Sequence, residues 1–333
     1  MHKIIEIQEI ELDAWEGLSN SSPVATWFQT PEAYRFFSSL SFMETFALGV
    51  KNEGVLKGVV VGYVQKDGGR LKQFLSRRAI VTGGPLFAED ITDEEVKALL
   101  TALQMRLKRK AIYIETRNFN DYSRWRTAFD ESGFGYEPHY DVIIDTSSIE
   151  GVNERLDRNR RRNIKKAIEN GIVIDKNPNE ADVDVFYSLL DELYKTKVKT
   201  PVFPFEFFEK LRKLPESLFC IAKDPEGKVL GGLVCVTRGK TVYAWFACGD
   251  DMLYKKLSPS VMANYAGICH AAENGFAKFD FLGAGKPNDG GYGVRDFKLK
   301  FGGELVEPGR YIHLCNPLLY NFGKLAVKII KKI

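Results

Sequence analysis

The stretch "GYGVRDFKLKFGG" (291–303) sets Arg295, Lys298, Lys300 and one carboxylate, Asp296, between glycines and beside Phe297 and Phe301. Cations on an otherwise apolar segment suit the stabilisation of negative charge that develops when a nucleophile adds to a carbonyl. A pre-placed donor of this kind is worth roughly 3–4 kcal/mol in comparable sites. As a strand of period two, "DFKLKF" would put Phe297, Leu299 and Phe301 on one face and Lys298 and Lys300 on the other. The lysines would then reach an open channel while the apolar residues anchor the strand. Asp296 either orients an incoming amine or pairs with Arg295. Gly290, Gly291 and Gly293 would permit close backbone approach to a bulky ligand. No residue stands out as a general base.

A second chemical signal is "RLDRNRRRNIKK" (155–166), with seven basic residues in twelve. At helical spacing, Arg155, Arg158, Arg162 and Lys165 line one side, and Ile164, Ala167 and Ile168 mark the buried side. So dense a positive face calls for an anionic partner, and phosphate groups are the expected one. Other chemistry is disfavoured. The five cysteines lie in apolar runs with no C-x-x-C, and the four histidines form no H-E-x-x-H, so neither a disulfide framework nor a metal site is expected. "GAGKPNDGG" (283–291) lacks the Walker A spacing.

These residues need elements to hold them. With 333 residues, 44% hydrophobic and 27% charged, the chain has the length of two domains and a globular composition. A hairpin turning at Asn52-Glu53-Gly54 is echoed by one turning at Asp224-Pro225-Glu226-Gly227; "NEGVLKGVVV" and "PEGKVLGGLV" are near repeats. Each hairpin is followed by a helix (92–109, 258–275) and then a short apolar strand (111–116, 277–283). Thr92 with Glu95 reads as a capping box. Hairpin, helix, strand is the order of the acetyltransferase (GNAT) fold. The expected class is therefore α/β with mixed sheets, two GNAT-like domains in tandem. The first spans 1–148, the second 149–312, and 313–333 packs back on the first through an amphipathic helix. Neither half shows a convincing acyl-CoA pyrophosphate loop. "ACGDDMLYKKLSPS" (247–260) stands in its place with one glycine and two aspartates, which would repel a pyrophosphate.

Three motifs in order, "ATWFQTPEAYRFF" (25–37), "RRRNIKKAIENGIVI" (160–174) and "YGVRDFKLKFGGELVEPGRY" (292–311), resemble the FemAB/FemX family over nearly the whole chain. Its characterised members are aminoacyltransferases that build peptidoglycan interpeptide bridges on a tandem GNAT-like fold. The resemblance implies an aminoacyl-tRNA donor rather than acetyl-CoA, in keeping with the missing loop. It also implies that the pair matching Phe297-Lys298 lies against the acceptor end of the tRNA. That singles out Lys298 as the oxyanion cation and leaves Lys300 as a surface or phosphate contact. Tyr292, Arg295 and Asp296 are the other substrate-binding candidates of this motif, and Arg158, Arg161, Arg162 and Lys165 are those of the basic helix, for phosphates. Four positions fall where the family's precursor pocket would be. Arg35 stands where a precursor-binding cation does, Phe203 and Phe207 where an arginine and a tyrosine do, and Arg117 near a pocket aspartate.

The reading is an aminoacyltransferase that moves an amino acid from aminoacyl-tRNA to an amine of a nucleotide- or lipid-linked cell-wall precursor or related acceptor. It needs no bound cofactor and no metal. Two alternatives stay open: a CoA-dependent N-acyltransferase acting on a sugar or peptide amine, and a non-catalytic module binding anionic glycans or lipids. No apolar stretch reaches the roughly 20 residues that span a bilayer. The expected location is cytoplasmic, with the basic ending "KLAVKIIKKI" allowing contact with the inner membrane face.

Overall fold

The computed structural model describes residues 2–65, 77–288 and 293–330 and divides into two units, Met1–His139 with Glu307–Ile333, and Tyr140–Val306. Seven strands precede the division: β1 (His2–Glu6), β2 (Glu44–Asn52), β3 (Val55–Gln65), β4 (Arg78–Gly83), β5 (Leu86–Phe87), β6 (Tyr113–Asn118) and β7 (Gly135–Glu137). The second unit holds β8 (Asp141–Asp145), β9 (Val173–Asp175), β10 (Ser217–Lys223), β11 (Val229–Arg238), β12 (Thr241–Gly249), β13 (Lys278–Asp280) and β14 (Glu304–Val306). A last strand, β15 (Arg310–Leu314), joins the first sheet.

The two sheets have the same order. The first runs β1-β2-β3-β4-β6-β15-β7, with β5 beside β3, and the second runs β9-β10-β11-β12-β13-β8-β14. In both, one pair is parallel, β4 with β6 and β12 with β13, and it is the pair bridged by the long helix (Asp93–Leu107 or Pro259–Glu273). A parallel pair needs such a crossover. The expected duplication, mixed sheets and GNAT-like order are all present. The units divide at 139/140 and 306/307, ahead of the 148/149 and 312/313 boundaries read from the sequence. β8 belongs to the second sheet and β15 to the first.

Local chemistry accounts for the repeat. Glu53 and Gly54 take positive φ (49° and 83°), the twist that a tight hairpin between β2 and β3 requires. Thr92 accepts from the Glu95 N–H at 3.3 Å while Glu95 Oε2 accepts from the Thr92 N–H at 2.8 Å, closing the expected capping box. Gln29 of the first motif is fully buried and acts as a strut. Its amide donates to the carbonyls of Gly83 and Gly84 at 3.0 and 2.9 Å, and its Oε1 accepts from the Thr26 N–H at 2.7 Å.

One difference between the units matters for function. β4 and β6 pair from Arg78↔Tyr113 to Gly83↔Asn118. β12 and β13 pair only from Thr241↔Lys278 to Tyr243↔Asp280, although β12 continues to Gly249. Past Tyr243 the pairing of β12 with β13 has ended while β12 itself continues.

Candidate functional site

Residues Gly293–Leu299 form a helix, not the strand that the alternation of "DFKLKF" suggested. Phe297 and Phe301, four apart, satisfy a helical stripe as well as an alternating one. They pack edge to face at 5.5 Å. The chain then turns at Gly302, whose φ is 84° and whose missing Cβ leaves room for the backbone of Arg155.

This change of period separates the two lysines. Residues two apart share a strand face but lie about 200° apart around a helix. Lys298 turns inward, where its Nζ donates to the carbonyls of Phe281 and Gly283 at 2.9 and 2.6 Å. Lys300 is exposed and lines a cavity of about 550 Å³. The assignment of Lys298 to an open face therefore fails: its ammonium is committed to backbone beside the buried carboxyls Asp141 and Asp280.

Those carboxyls form a tight pair. Asp141 Oδ1 accepts from the Val142 and Gly283 N–H groups at 2.6 and 2.8 Å, and Asp280 Oδ1 from the Leu282 N–H at 2.7 Å. Burial, with Asp141 alongside, pushes Asp280 well above the usual carboxylate range. Burial also draws the Lys298 pKa down, opposed by Asp141 and Asp280.

The cavity lies within the second unit. The basic helix Arg158–Glu169 supplies Asn159 and Arg160, the loop after β12 supplies Asp251 and Lys255, and the 293–300 segment supplies Asp296 and Lys300. Asp157 caps the basic helix by accepting from the Asn159 N–H at 2.9 Å. Arg160 is only 4% exposed; its guanidinium sits 4.3 Å from the ring centres of both Phe297 and Phe301, and it donates to the Phe297 carbonyl at 2.7 Å. Burial lowers its pKa to about 10, with Asp251 and Asp157 opposing, so it stays charged at neutral pH. The sequence reading passed over Arg160. Its spacing to Ile164 and Ala167, the two buried apolar residues of the helix, was the available signal.

Asp251 occupies the start of the helix Pro259–Glu273. Its Oδ1 accepts from the Ser260 N–H at 3.1 Å and its Oδ2 from the Ser260 hydroxyl. The helix begins at Ser258 in a left-handed conformation (φ 44°). A carboxylate thus already holds a backbone donor at the end where a bound anion would sit.

The remaining candidates scatter. Arg158, Arg162 and Lys165 are exposed on the outer side of the basic helix, and Lys165 lies 3.9 Å from Glu169. Ile168, expected to be buried, is 59% exposed. Arg161 donates to the carbonyls of Leu156 and Glu154 at 3.2 and 3.3 Å. Arg295 bonds the carbonyls of Ala284 and Lys286 and lies over the Tyr140 ring. Phe203 and Phe207 belong to an aromatic cluster with Trp245 and Phe246, and Phe207 is fully buried, unable to touch a ligand as placed. In the first unit, Arg35 is exposed and paired with Glu32 at 2.6 Å. Arg117 and Arg310 clamp Glu115 at 3.2 and 2.6 Å, and against the upward push of burial they hold its pKa near 2. Tyr292, with Gly290 and Gly291, lies outside the described residues. Among the described residues no helix is long and apolar enough to cross a membrane.

Residues 154–298 match the family model described as "Acetyltransferase (GNAT) domain". No curated protein matches the chain by sequence. Among solved structures, FemX superposes with a TM-score of 0.71 at 15% identity, covering 96% of this chain and 99% of that one. L-PGS from Bacillus licheniformis gives 0.58 at 14% identity, covering 97% of each chain. A tandem GNAT protein from the clavulanic acid biosynthesis pathway gives 0.59 at 10% identity, covering 95% of this chain and 99% of its own. The chain thus has the fold shared by FemX and tandem GNAT proteins, and within it residues 154–298 match an acetyltransferase (GNAT) domain.

Proposed function

We propose that the protein is an aminoacyltransferase that takes its acyl group from aminoacyl-tRNA and gives it to an amine of a cell-wall precursor or related acceptor. The observation that carries this reading is Asp251. In the second unit β12 runs on past Tyr243 after its pairing with β13 has ended at Asp280. The helix that follows β12 already has a carboxylate on its Ser260 N–H. A CoA pyrophosphate would have to displace that bond and meet like charge. A donor whose phosphates lie elsewhere avoids the conflict, and in this reading the exposed Arg158 and Arg162 meet them. The likeness to FemX supports the reading at the level of fold.

In this mechanism the acceptor amine attacks the ester carbonyl that joins the amino acid to the terminal ribose. A C–N bond forms, the tetrahedral oxyanion collapses, and the C–O bond to the ribose breaks. Lys300, exposed in the cavity lining, is the cation that can meet the oxyanion. Asp296 is exposed in the same lining and can take the proton released by the amine, while the departing ribose oxygen regains one. Arg160, held between two phenyl rings, stiffens the wall from which these groups project. The test is a parallel incubation with charged tRNA or acetyl-CoA as donor and nucleotide- or lipid-linked precursors as acceptors. Transfer from charged tRNA alone is expected. Transfer from acetyl-CoA alone would establish the CoA-dependent alternative, which the GNAT domain match favours.

A further inference from the structure

The loop joining β12 to the helix Pro259–Glu273 exposes two adjacent apolar side chains. Met252 is 71% and Leu253 78% exposed, and Lys255 and Lys256 beside them are exposed as well. An isolated exposed apolar residue needs no explanation, but a neighbouring pair at a loop tip does when the preceding Asp250 and Asp251 are bonded to backbone N–H groups and two exposed lysines follow.

The tip is built rather than slack. The Leu253 N–H donates to Asp250 Oδ1 at 3.2 Å, and the Tyr254 N–H to the Asp250 carbonyl at 3.0 Å. The Leu257 and Ser258 N–H groups both donate to the Tyr254 carbonyl at 2.9 Å. Tyr254 is anchored from below, its hydroxyl accepting from Lys228 Nζ at 2.8 Å. With the base pinned by these bonds and by Asp251, Met252 and Leu253 are held outward instead of folding onto the domain. The same loop supplies Asp251, Lys255 and Ser258 to the cavity lining, so whatever receives the tip also meets the mouth of the cavity.

We propose that the Met252–Lys256 loop is a membrane-docking tip that seats the second unit's cavity on an anionic bilayer. Its two apolar side chains enter the interface, and Lys255 and Lys256 pair with anionic headgroups. Charge complementarity selects a lipid surface over an apolar protein groove, which would leave both ammonium groups without anions. The acceptor amine is then one carried on a lipid-linked molecule in that bilayer. This last step rests on the acyl-transfer reading, whereas docking does not.

The full-length protein is sedimented with vesicles of phosphatidylcholine alone or mixed with phosphatidylglycerol. Binding to the anionic mixture is expected, with M252S/L253S weakening it at least about tenfold and K256Q about fivefold. Transfer by M252S/L253S to a nucleotide-linked precursor in solution should match that of the unmodified protein, while transfer to a vesicle-borne acceptor falls. An unmodified protein that stays in the supernatant with anionic vesicles overturns the proposal, as does an M252S/L253S variant that sediments unchanged. Either result leaves the acyl-transfer reading intact if solution transfer persists. Vesicle binding that is lost in M252S/L253S, in a protein with no transfer activity at all, supports the tip and removes that reading instead.

Discussion

Lys300 and Lys298 stand two residues apart and do different work. Lys300 is exposed in the cavity lining, while Lys298 bridges the Phe281 and Gly283 carbonyls. Lys300→Ala should therefore lower turnover by about 10- to 100-fold and leave the unfolding midpoint in place, as loss of one charge-stabilising donor does. Lys298→Ala should instead lower stability by about 2–3 kcal/mol, since it strips a charged donor from two inward-facing carbonyls. Steady-state kinetics beside urea titrations separates the two effects. A Lys300→Ala enzyme with unchanged turnover would remove Lys300 from the chemistry. Arg160 teaches a related lesson. Charge alone placed it with its solvated neighbours, but its register with Ile164 and Ala167 put it inside, against Phe297 and Phe301.

At the scale of elements, the segment from 293 to 303 shows how one pattern serves two periods. Phe297 and Phe301 fit a strand and a helix equally, and the contest was settled by what they pack against. Phe301 is fully buried against Phe281, and Gly302 must pass the Arg155 backbone in a left-handed conformation. Gly302→Ala should then destabilise the second unit by at least about 2 kcal/mol, because the added methyl meets backbone that cannot rotate away. Thermal unfolding reads this directly, and an unaffected midpoint would mean the turn has room to relax. The hairpins, the capped helix and the basic helix with Gly171 closing it (φ 78°) followed from local signals. Turn glycines and caps act within a few residues and need no distant partner.

For the whole molecule, the two units carry opposite linkages between folding and protons. In the first, Glu115 has its pKa lowered from 4.5 to about 2 by Arg117 and Arg310. That stabilisation is present above pH 4.5 and is lost as the pH falls towards 2, amounting to about 3 kcal/mol. In the second, Asp280 titrates well above its usual value through burial beside Asp141. Its contribution is complete below the ordinary carboxylate pKa and declines as pH rises through the raised one. Urea midpoints measured across pH should show Glu115→Gln flattening the acid limb. Asp280→Asn should flatten the decline at higher pH. If both variants kept the parent's pH profile, neither carboxyl would be coupled to folding.

Composition, turn signals and the internal echo were enough to establish a duplicated α/β fold, because each rests on short-range preferences repeated along the chain. The same local signals placed the basic helix, and in the 247–260 segment, whose two aspartates the sequence made conspicuous, Asp251 holds the helix start. Which lysine faces the cavity, which arginine is buried and where β13 stops pairing with β12 all depend on contacts between residues far apart in sequence. Lys298 reaches back to Phe281 and Gly283, Arg160 across to Phe297, and β12 outruns β13 past Tyr243. The direction of a polar side chain is set by whichever donors and acceptors packing brings near it, and one-dimensional spacing does not encode that.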